Sequence, residues 1–350
     1  MLNYATSAAA TGRGDGQRLI HERRLAAKAR PHGERRHGDG RPQHLSLALQ
    51  GGGSFGAFTW GVLDRVLQEP IELAAVSGAS AGAINAVLLA SGLAEGGPDE
   101  ARAKLERFWR RVSQAAPPRL VLEAAVELAQ HSLSPYVFNP LGINPLRDLL
   151  LAEVDFNRLR AERPVPLLIA ATRVSDGRLR LFREQEITVD AVLASCCLPR
   201  LHHAVEIDGE AYWDGGFSAN PPLRQLAIET EAEDILLVQL MPEQTAGTPR
   251  DAKEIAAGLT RLAFAEPLLK ELEALEDLRR LCTTQVLAYG LCRKLRRLKL
   301  HRLAAAEAVP KLGEESPLAT DWAFLCRLQE AGHGAAGSWL GGLGEMRAAA

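Results

Sequence analysis

Residues 45–56 read Leu45-Ser-Leu-Ala-Leu-Gln-Gly-Gly-Gly-Ser-Phe-Gly56, and residues 76–84 read Val76-Ser-Gly-Ala-Ser-Ala-Gly-Ala-Ile84. The first stretch is a short apolar strand, Leu45 to Gln50, that runs into a glycine turn, Gly51 to Gly56. A helix is predicted from Phe55 to Leu67, because Phe58, Val62, Leu63 and Val66 fall on one face. The second stretch follows an apolar run, Ile71 to Val76, which predicts a strand over Glu72 to Ala79 and a small-residue helix over Ala81 to Ser91. Strand, glycine turn, helix, strand, sharp bend, helix is the alternation of a largely parallel sheet covered by helices on both faces.

The bend holds Gly78-x-Ser80-x-Gly82. A serine between a strand and a helix is held with its hydroxyl exposed, and flanking glycines let the chain turn sharply and a substrate come close. Ser80 is therefore a candidate nucleophile. The earlier turn, Gly51 to Gly56, opens a helix, where N–H groups lack intrahelical partners and the helix dipole favours an anion. Two ligands suit it: a nucleotide phosphate, or the oxyanion of an acyl-transfer intermediate. The spacing matches G-x-G-x-x-G, but a dinucleotide site wants an acid at the end of the second strand. Here that end is Ser77-Gly78, and Glu72 sits at the wrong end. No Gly-Lys-Ser/Thr follows, which removes a Walker loop. With strands 45–50 and 73–78 as neighbours, the Gly51, Gly52 and Gly53 amides converge with the Ser80 hydroxyl.

A serine hydroxyl needs a base. After Ser80 the histidines are His131, His202, His203, His301 and His333, and none sits in a loop after a strand with an acid placed before it. Asp214 is the better candidate. It ends a strand in Tyr212-Trp213-Asp214-Gly215-Gly216, and the two glycines allow close backbone approach. A carboxylate near apolar Trp213, with limited water, has its pKa raised and can act as a base.

With 350 residues, 47% of them hydrophobic, the chain can bury a large core. The net charge of -2 gives no sign of a nucleic-acid partner. Five cysteines, Cys196, Cys197, Cys282, Cys292 and Cys326, have neither a disulfide framework nor metal-ligand spacing, so they read as reduced thiols of a cytoplasmic protein. Residues 1–43 are rich in Arg, Gly, His and Ala and are expected to be a disordered basic tail. Helices are expected over Pro98 to Val112, Leu120 to Leu133, Pro145 to Ala152 and Val189 to Cys197. A strand is expected at 165–172, returning through the Asp176-Gly177 turn as Leu179 to Arg183. A second hairpin is expected over Val205 to Trp213, and a buried strand from Asp234 to Leu240.

Beyond Pro249 the chain turns helical and charged, with a long helix expected over Ala252 to Leu281. Residues 293–302 carry six basic residues among leucines. That segment reads either as a peripheral contact with anionic lipid or as a solvated helix end running into an edge strand. Trp322 to Met346 reads as a helix followed by a glycine-rich tail.

Three elements in this order, Gly51-Gly52-Gly53-x-x-Gly56, Gly78-x-Ser80-x-Gly82 and Asp214-Gly215-Gly216, resemble the patatin-like phospholipase family. Ala83-Ile-Asn85-Ala86, Ala194-Ser-Cys-Cys-Leu-Pro199 and Asn220-Pro-Pro-Leu223 are similar as well, and the resemblance runs roughly from His44 to Met241. It implies a three-layer α/β/α fold with a mostly parallel central sheet in a catalytic domain over 44–242, and a mainly helical extension over 243–350 packed on it. It further implies a dyad of Ser80 and Asp214 with no catalytic histidine, an oxyanion hole at Gly51–Gly53, and a lipid or acyl-ester substrate, with no metal or cofactor. The family often places a basic residue where Phe55 stands and an acid where Gln50 stands. Three other readings stay open: a histidine-dependent esterase, a nucleotide-binding protein, and a catalytically silent lipid- or protein-binding module.

Overall fold

The computed structural model describes residues 44–115, 134–242, 248–283 and 289–348. The expected disordered tail, the expected helix over 120–133 and His131 lie outside them. Strand β1 (His44–Leu49) shows how the layers arise. Leu45, Leu47 and Leu49 enter one apolar cluster, and Ala48, between them, enters the other. A strand buried on both faces reads as a near-continuous apolar run, as this one does.

After β1 and a single 3₁₀ turn at Gly53–Phe55 come α1 (Gly56–Val66), β2 (Glu72–Gly78), α2 (Ala81–Gly96) and α3 (Pro98–Ala115). Helices α4 (Pro145–Glu153) and α5 (Phe156–Glu162) lead to the hairpin of β3 (Leu167–Arg173) and β4 (Leu179–Arg183). Helix α6 (Val189–Ser195) leads to a second hairpin, β5 (Val205–Ile207) and β6 (Glu210–Asp214), turned by Asp208 and Gly209, both at positive φ. Helix α7 (Leu223–Glu229), β7 (Asp234–Gln239), α8 (Ala252–Thr283), α9 (Leu291–Arg297), β8 (Lys299–Ala304) and α10 (Trp322–Ala348) complete the chain.

The sheet order is β5-β6-β3-β2-β1-β7-β8, with β4 also paired to β3. The run β3-β2-β1-β7-β8 is parallel throughout. One face packs on α1, α2, α3, α6 and α10 through residues such as Phe58, Leu88, Phe108 and Leu328. The other packs on α7, α8 and α9 through Leu226, Leu268 and Leu295. This is the expected three-layer α/β/α arrangement.

In the C-terminal region the structure chooses between two readings of one segment and corrects the reading of another. The basic segment 293–302 is the end of α9 running into β8, an edge strand that extends the parallel sheet beyond β7. Several of its cations have protein partners: Lys294 Nζ donates to the Ile228 carbonyl at 2.9 Å, Arg297 pairs with Glu233 at 3.4 Å, and Arg302 pairs with Glu307 at 2.7 Å.

The expected glycine-rich tail is instead the second half of α10. Glycine disfavours a helix by about 1 kcal/mol per residue relative to alanine, but here tertiary packing requires it. A Cβ on Gly332 would lie 2.1 Å from the Phe58 carbonyl oxygen, and one on Gly61 1.9 Å from the Gln329 carbonyl oxygen. The pair lets α10 and α1 touch backbone to backbone, and Trp60 stacks on Trp322 along the same seam, centroids 6.0 Å apart. Gly332→Ala is therefore expected to destabilise by about 1–3 kcal/mol through overpacking. Gly341→Ala, on the same helix with open space beside it, should stabilise by up to about 1 kcal/mol. Urea unfolding of the two variants checks the opposite signs.

Candidate active site

Strands β1 and β2 end side by side, Leu49 level with Gly78. The two turns that follow therefore meet at one sheet edge. A Cβ on Gly51 would fall 2.7 Å from the Ser80 Cβ, and one on Gly82 would fall 2.0 Å from the Leu49 carbonyl oxygen. Glycine at these positions is what allows the glycine turn and the serine bend to abut.

Ser80 has φ 52° and ψ -125°, a region in which a non-glycine residue stores about 1–3 kcal/mol. The surroundings hold it there. Its N–H donates to the buried Ser195 Oγ at 3.0 Å, and its carbonyl accepts from Ile84 N–H at 3.1 Å. Ser80 stands at the N-cap of α2, yet its hydroxyl does not cap the helix. The hydroxyl is left available for chemistry at the positive end of the helix dipole.

Asp214 arrives from the far side of the same edge. Strand β4 occupies one side of β3 from Leu168 to Thr172. The other side of β3 is shared: β2 pairs with it up to Gly78–Ile169, and β6 takes over at Asp214–Ala171. The carboxylate thus enters the sheet just past the end of β2, where the chain turns into Ser80. The Asp214 backbone is pinned by its N–H to the Cys197 carbonyl at 2.8 Å and by its own carbonyl to Thr172 Oγ1 at 2.8 Å.

The Asp214 side chain is fully buried. Its Oδ1 accepts from Gly216 N–H at 2.8 Å, and its Oδ2 has no formed hydrogen bond among the described residues. Burial pushes its pKa up from 3.8 to about 7, with the Gly216 amide and the nearby Ser80 hydroxyl pulling the other way. Ser80 and Asp214 are close enough to interact although no hydrogen bond joins them. The apolar cover comes from Phe264 of α8, whose ring would lie 2.6 Å from a Cβ on Gly216 and packs on Phe217. The sequence pointed instead to Trp213, but as the preceding strand residue Trp213 faces the opposite side of β6.

Of the three glycine amides expected to converge on the serine, that of Gly51 is already occupied. It donates to Asn220 Oδ1 at 2.7 Å, and Asn220 Nδ2 in turn donates to the Phe264 carbonyl at 2.9 Å. The Gly52 and Gly53 amides have no partner among the described residues. Gly53 sits at φ 57°, and a Cβ there would strike the Pro317 carbonyl oxygen at 2.2 Å. Only glycine fits that position.

The two departures from the family pattern each have a structural role. Gln50 is buried, and its Oε1 accepts the Leu240 and Met241 amides at 2.7 and 2.9 Å, tying the end of β1 to the end of β7. A carboxamide oxygen accepts those two donors as a carboxylate would. Phe55 is buried edge-on against Phe324 of α10, 6.3 Å between centroids. The side chain at that position therefore belongs to the core.

Several site residues carried no chemical signal of their own in the sequence. Ser195, Asn220 and Asn85 lie in the short stretches that accompany the main motifs. Asn85 joins the two helix starts: its Nδ2 donates to the Gly56 and Ala81 carbonyls at 3.1 and 2.9 Å, and its Oδ1 accepts from Trp109 Nε1 at 3.2 Å. Cys196 lies close enough to Ser80 and Asp214 for both to act on its thiol. Burial, then the Asp214 charge, push its pKa well above the usual thiol range, so it stays a neutral S–H. Burial raises Cys197 to about 12, and its S–H donates to the His203 carbonyl at 3.0 Å. Neither cysteine is poised as a thiolate nucleophile.

The histidines serve elsewhere. His301 Nε2 lies 2.7 Å from Asp234 Oδ1, at the start of β7 and so at the opposite edge of the sheet. His333 faces Asp64 on α1 and Gln68 just after it. His203 stacks on Tyr136. Burial, with His203 beside it, holds the pKa of His202 down. Among the described residues no hydrogen bond or ion pair links a histidine to Ser80 or Asp214, and no group of three or more His, Cys, Asp or Glu could hold a metal ion.

Comparison with known proteins places the chain in a family. The model of the family described as patatin-like phospholipase matches residues 47–227. No curated protein matches the chain. Among solved structures, the chain is similar to VipD from Legionella pneumophila, with 16% identity over 86% of this chain and 67% of that one and a TM-score of 0.38. It is also similar to ExoU in complex with SpcU from Pseudomonas aeruginosa, with 19% identity over 67% of this chain and a TM-score of 0.32. The chain spans 53% of the length of that second structure.

Proposed function

The chain belongs to the patatin-like phospholipase family, and from that premise we propose that it hydrolyses lipid acyl esters with a Ser80–Asp214 dyad and an acyl-serine intermediate. One observation carries the reading. A strained serine abuts a glycine turn with two unpartnered amides, beside a buried carboxylate whose pKa is raised to about 7. Each part has a chemical use. The carboxylate, ionised at slightly alkaline pH, takes the Ser80 proton as Oγ attacks the ester carbonyl. A base with a pKa near the working pH serves best in both directions of proton transfer.

The carbonyl oxygen becomes an oxyanion as the tetrahedral intermediate forms. The Gly52 and Gly53 amides donate to it, each worth typically about 2.7–4 kcal/mol in a preorganised site. The Gly51 amide acts indirectly: its bond to Asn220 sets the position of the turn. Collapse of the intermediate breaks the ester C–O bond, and protonated Asp214 returns its proton to the departing alcohol. Water then loses a proton to Asp214 and attacks the acyl-serine, releasing the fatty acid and restoring the Ser80 hydroxyl. No step requires a metal.

The reading predicts that histidine is dispensable. Purified protein should label with a fluorophosphonate probe and turn over a soluble p-nitrophenyl acyl ester. His301→Ala and His333→Ala should keep kcat/KM within about threefold of the parent, since neither side chain meets the site. A folded histidine variant that loses activity by a hundredfold or more would replace the dyad with a histidine triad. A parent that neither labels nor turns over would leave a silent binding module.

A further inference from the structure

Twelve large apolar residues are strongly exposed among the described residues, and eight of them fall in just two short stretches, 136–143 and 255–262. Singly scattered exposed apolar side chains are ordinary, whereas contiguous groups mark binding surfaces. Both stretches flank the Ser80 site.

The first stretch is fastened to the site by the loop that follows α6. His203 stacks on Tyr136 at 4.0 Å and bonds the Pro135 carbonyl at 3.2 Å, and the Tyr136 hydroxyl accepts from Ala204 N–H at 3.2 Å. The same loop is tied to the site at Cys197, whose carbonyl accepts the Asp214 N–H at 2.8 Å and whose thiol donates to the His203 carbonyl at 3.0 Å. Outward from this anchor stand Val137, Leu141 and Ile143, 63%, 83% and 64% exposed.

The second stretch is the start of α8. Phe264 covers Gly216 at the site, while the later residues Leu268 and Leu275 pack down the sheet face with α7 and α9. Helix α8 therefore runs from the site edge toward the opposite edge. Its first twelve residues, 252–263, precede Phe264 and extend up to about 18 Å past it at 1.5 Å per residue. Ile255, Leu259 and Leu262 recur there at i, i+4 and i+7, one helical stripe that is exposed.

We propose that these two stretches form the rim that seats the protein on a lipid bilayer, with Ser80 between them. The proposal rests on the lipid acyl-ester reading of that site. A bilayer is the occupant because the ester of a membrane lipid stays at the interface, so the nucleophile has to be brought to it. Insertion of apolar side chains beside the pocket does this. The rim is apolar, and the basic segment 293–302 is not part of it. That segment sits at α9 and β8, and the start of β8 lies at the opposite edge of the sheet. Among the described residues no helix is long and apolar enough to cross a membrane.

The test uses the full chain carrying Ser80→Ala, so that binding is read without hydrolysis. Flotation with phosphatidylcholine vesicles should recover the protein equally at low and high salt. Leu259→Glu with Leu262→Glu, or Val137→Glu with Leu141→Glu, should weaken partitioning by about tenfold or more, and Arg293→Glu with Arg296→Glu should leave it unchanged. In the active parent the same rim variants should keep soluble-ester turnover within about twofold while slowing hydrolysis of vesicle lipid. Absence of vesicle binding overturns the proposal. So does binding that needs anionic lipid, falls with salt and follows the arginines. A dimer dissociated by the rim substitutions would reassign the rim to a second copy of the chain. Loss of soluble-ester activity in the parent, with vesicle binding intact, would overturn the hydrolase reading and leave the rim standing.

Discussion

Replacing Ser80 by alanine is expected to lower kcat/KM for a soluble acyl ester by on the order of 10⁴-fold or more, the loss seen when a covalent nucleophile is removed and only binding and oxyanion contacts remain. Fluorophosphonate labelling should vanish with it. A second substitution at the same position separates chemistry from structure. Ser80 holds φ 52°, with its N–H on Ser195. Alanine there is as strained as serine, whereas glycine adopts positive φ without penalty. Ser80→Gly should therefore be equally inactive and more stable than Ser80→Ala, by about 1 kcal/mol, in urea unfolding. Residual labelling of Ser80→Ala would take this serine out of the mechanism. Equal stability of the two variants would mean that the bend stores no strain.

The second large effect belongs to Asp214. Its pKa is raised from 3.8 to about 7, chiefly by burial. A carboxyl with a folded-state pKa above its unfolded value holds its proton more tightly when folded. Its contribution to stability is complete below pH 3.8 and is lost as pH rises to about 7. Above that the penalty is constant, because the anion is then buried in the folded state and hydrated in the unfolded one. The full shift corresponds to at most about 4 kcal/mol at 1.36 kcal/mol per pH unit. Asparagine keeps the acceptor for the Gly216 amide and removes the charge. Asp214→Asn should thus silence ester turnover by about 10⁴-fold and gain stability over the parent progressively between about pH 4 and 7. In the parent, kcat/KM should rise with pH through about 7 and then level off, as the carboxylate becomes available as a base. Urea unfolding and initial rates at unit pH intervals read both. A stability difference that is flat in pH, or full parental activity at pH 5, would contradict the assignment.

The activity would thus be held in a molecule less stable than it could be, strained at Ser80 and charged at a dry Asp214. Natural sites commonly trade stability in this way. The neighbouring thiol of Cys196, partly buried, adds a second polar group that stays neutral near the carboxylate.

Much of the site was legible in the sequence because its signals are local. Glycine at 51, 78 and 82 marks positions where backbone must come close. The apolar run from Leu45 to Leu49 marks a strand, and Asp208-Gly209 marks a hairpin turn. Those cues set the order of strands and helices and pick out Ser80 and Asp214 as the chemically apt pair. Contacts between residues far apart in the chain were not legible. Nothing near Gly51 announces that Asn220, 169 residues away, takes its amide, which leaves Gly52 and Gly53 as the open donors. Trp213 adjoins Asp214 in sequence, yet Phe264 supplies the apolar cover.

The same division explains the C-terminal region. Glycines in α10 read as a tail because helix propensity counts each residue alone, while Gly332 is required by a carbonyl of α1. The basic residues of 293–302 left a lipid contact and an edge strand both open because charge is visible without its partners; the fold makes that stretch a helix end and an edge strand. By itself the sequence determined which residues can bend, alternate and ionise, since those are properties of single side chains and their immediate neighbours. The tertiary structure alone decided which of them are dry, which amides are free and which faces are left uncovered. Burial and hydrogen-bond satisfaction are properties of the packed whole.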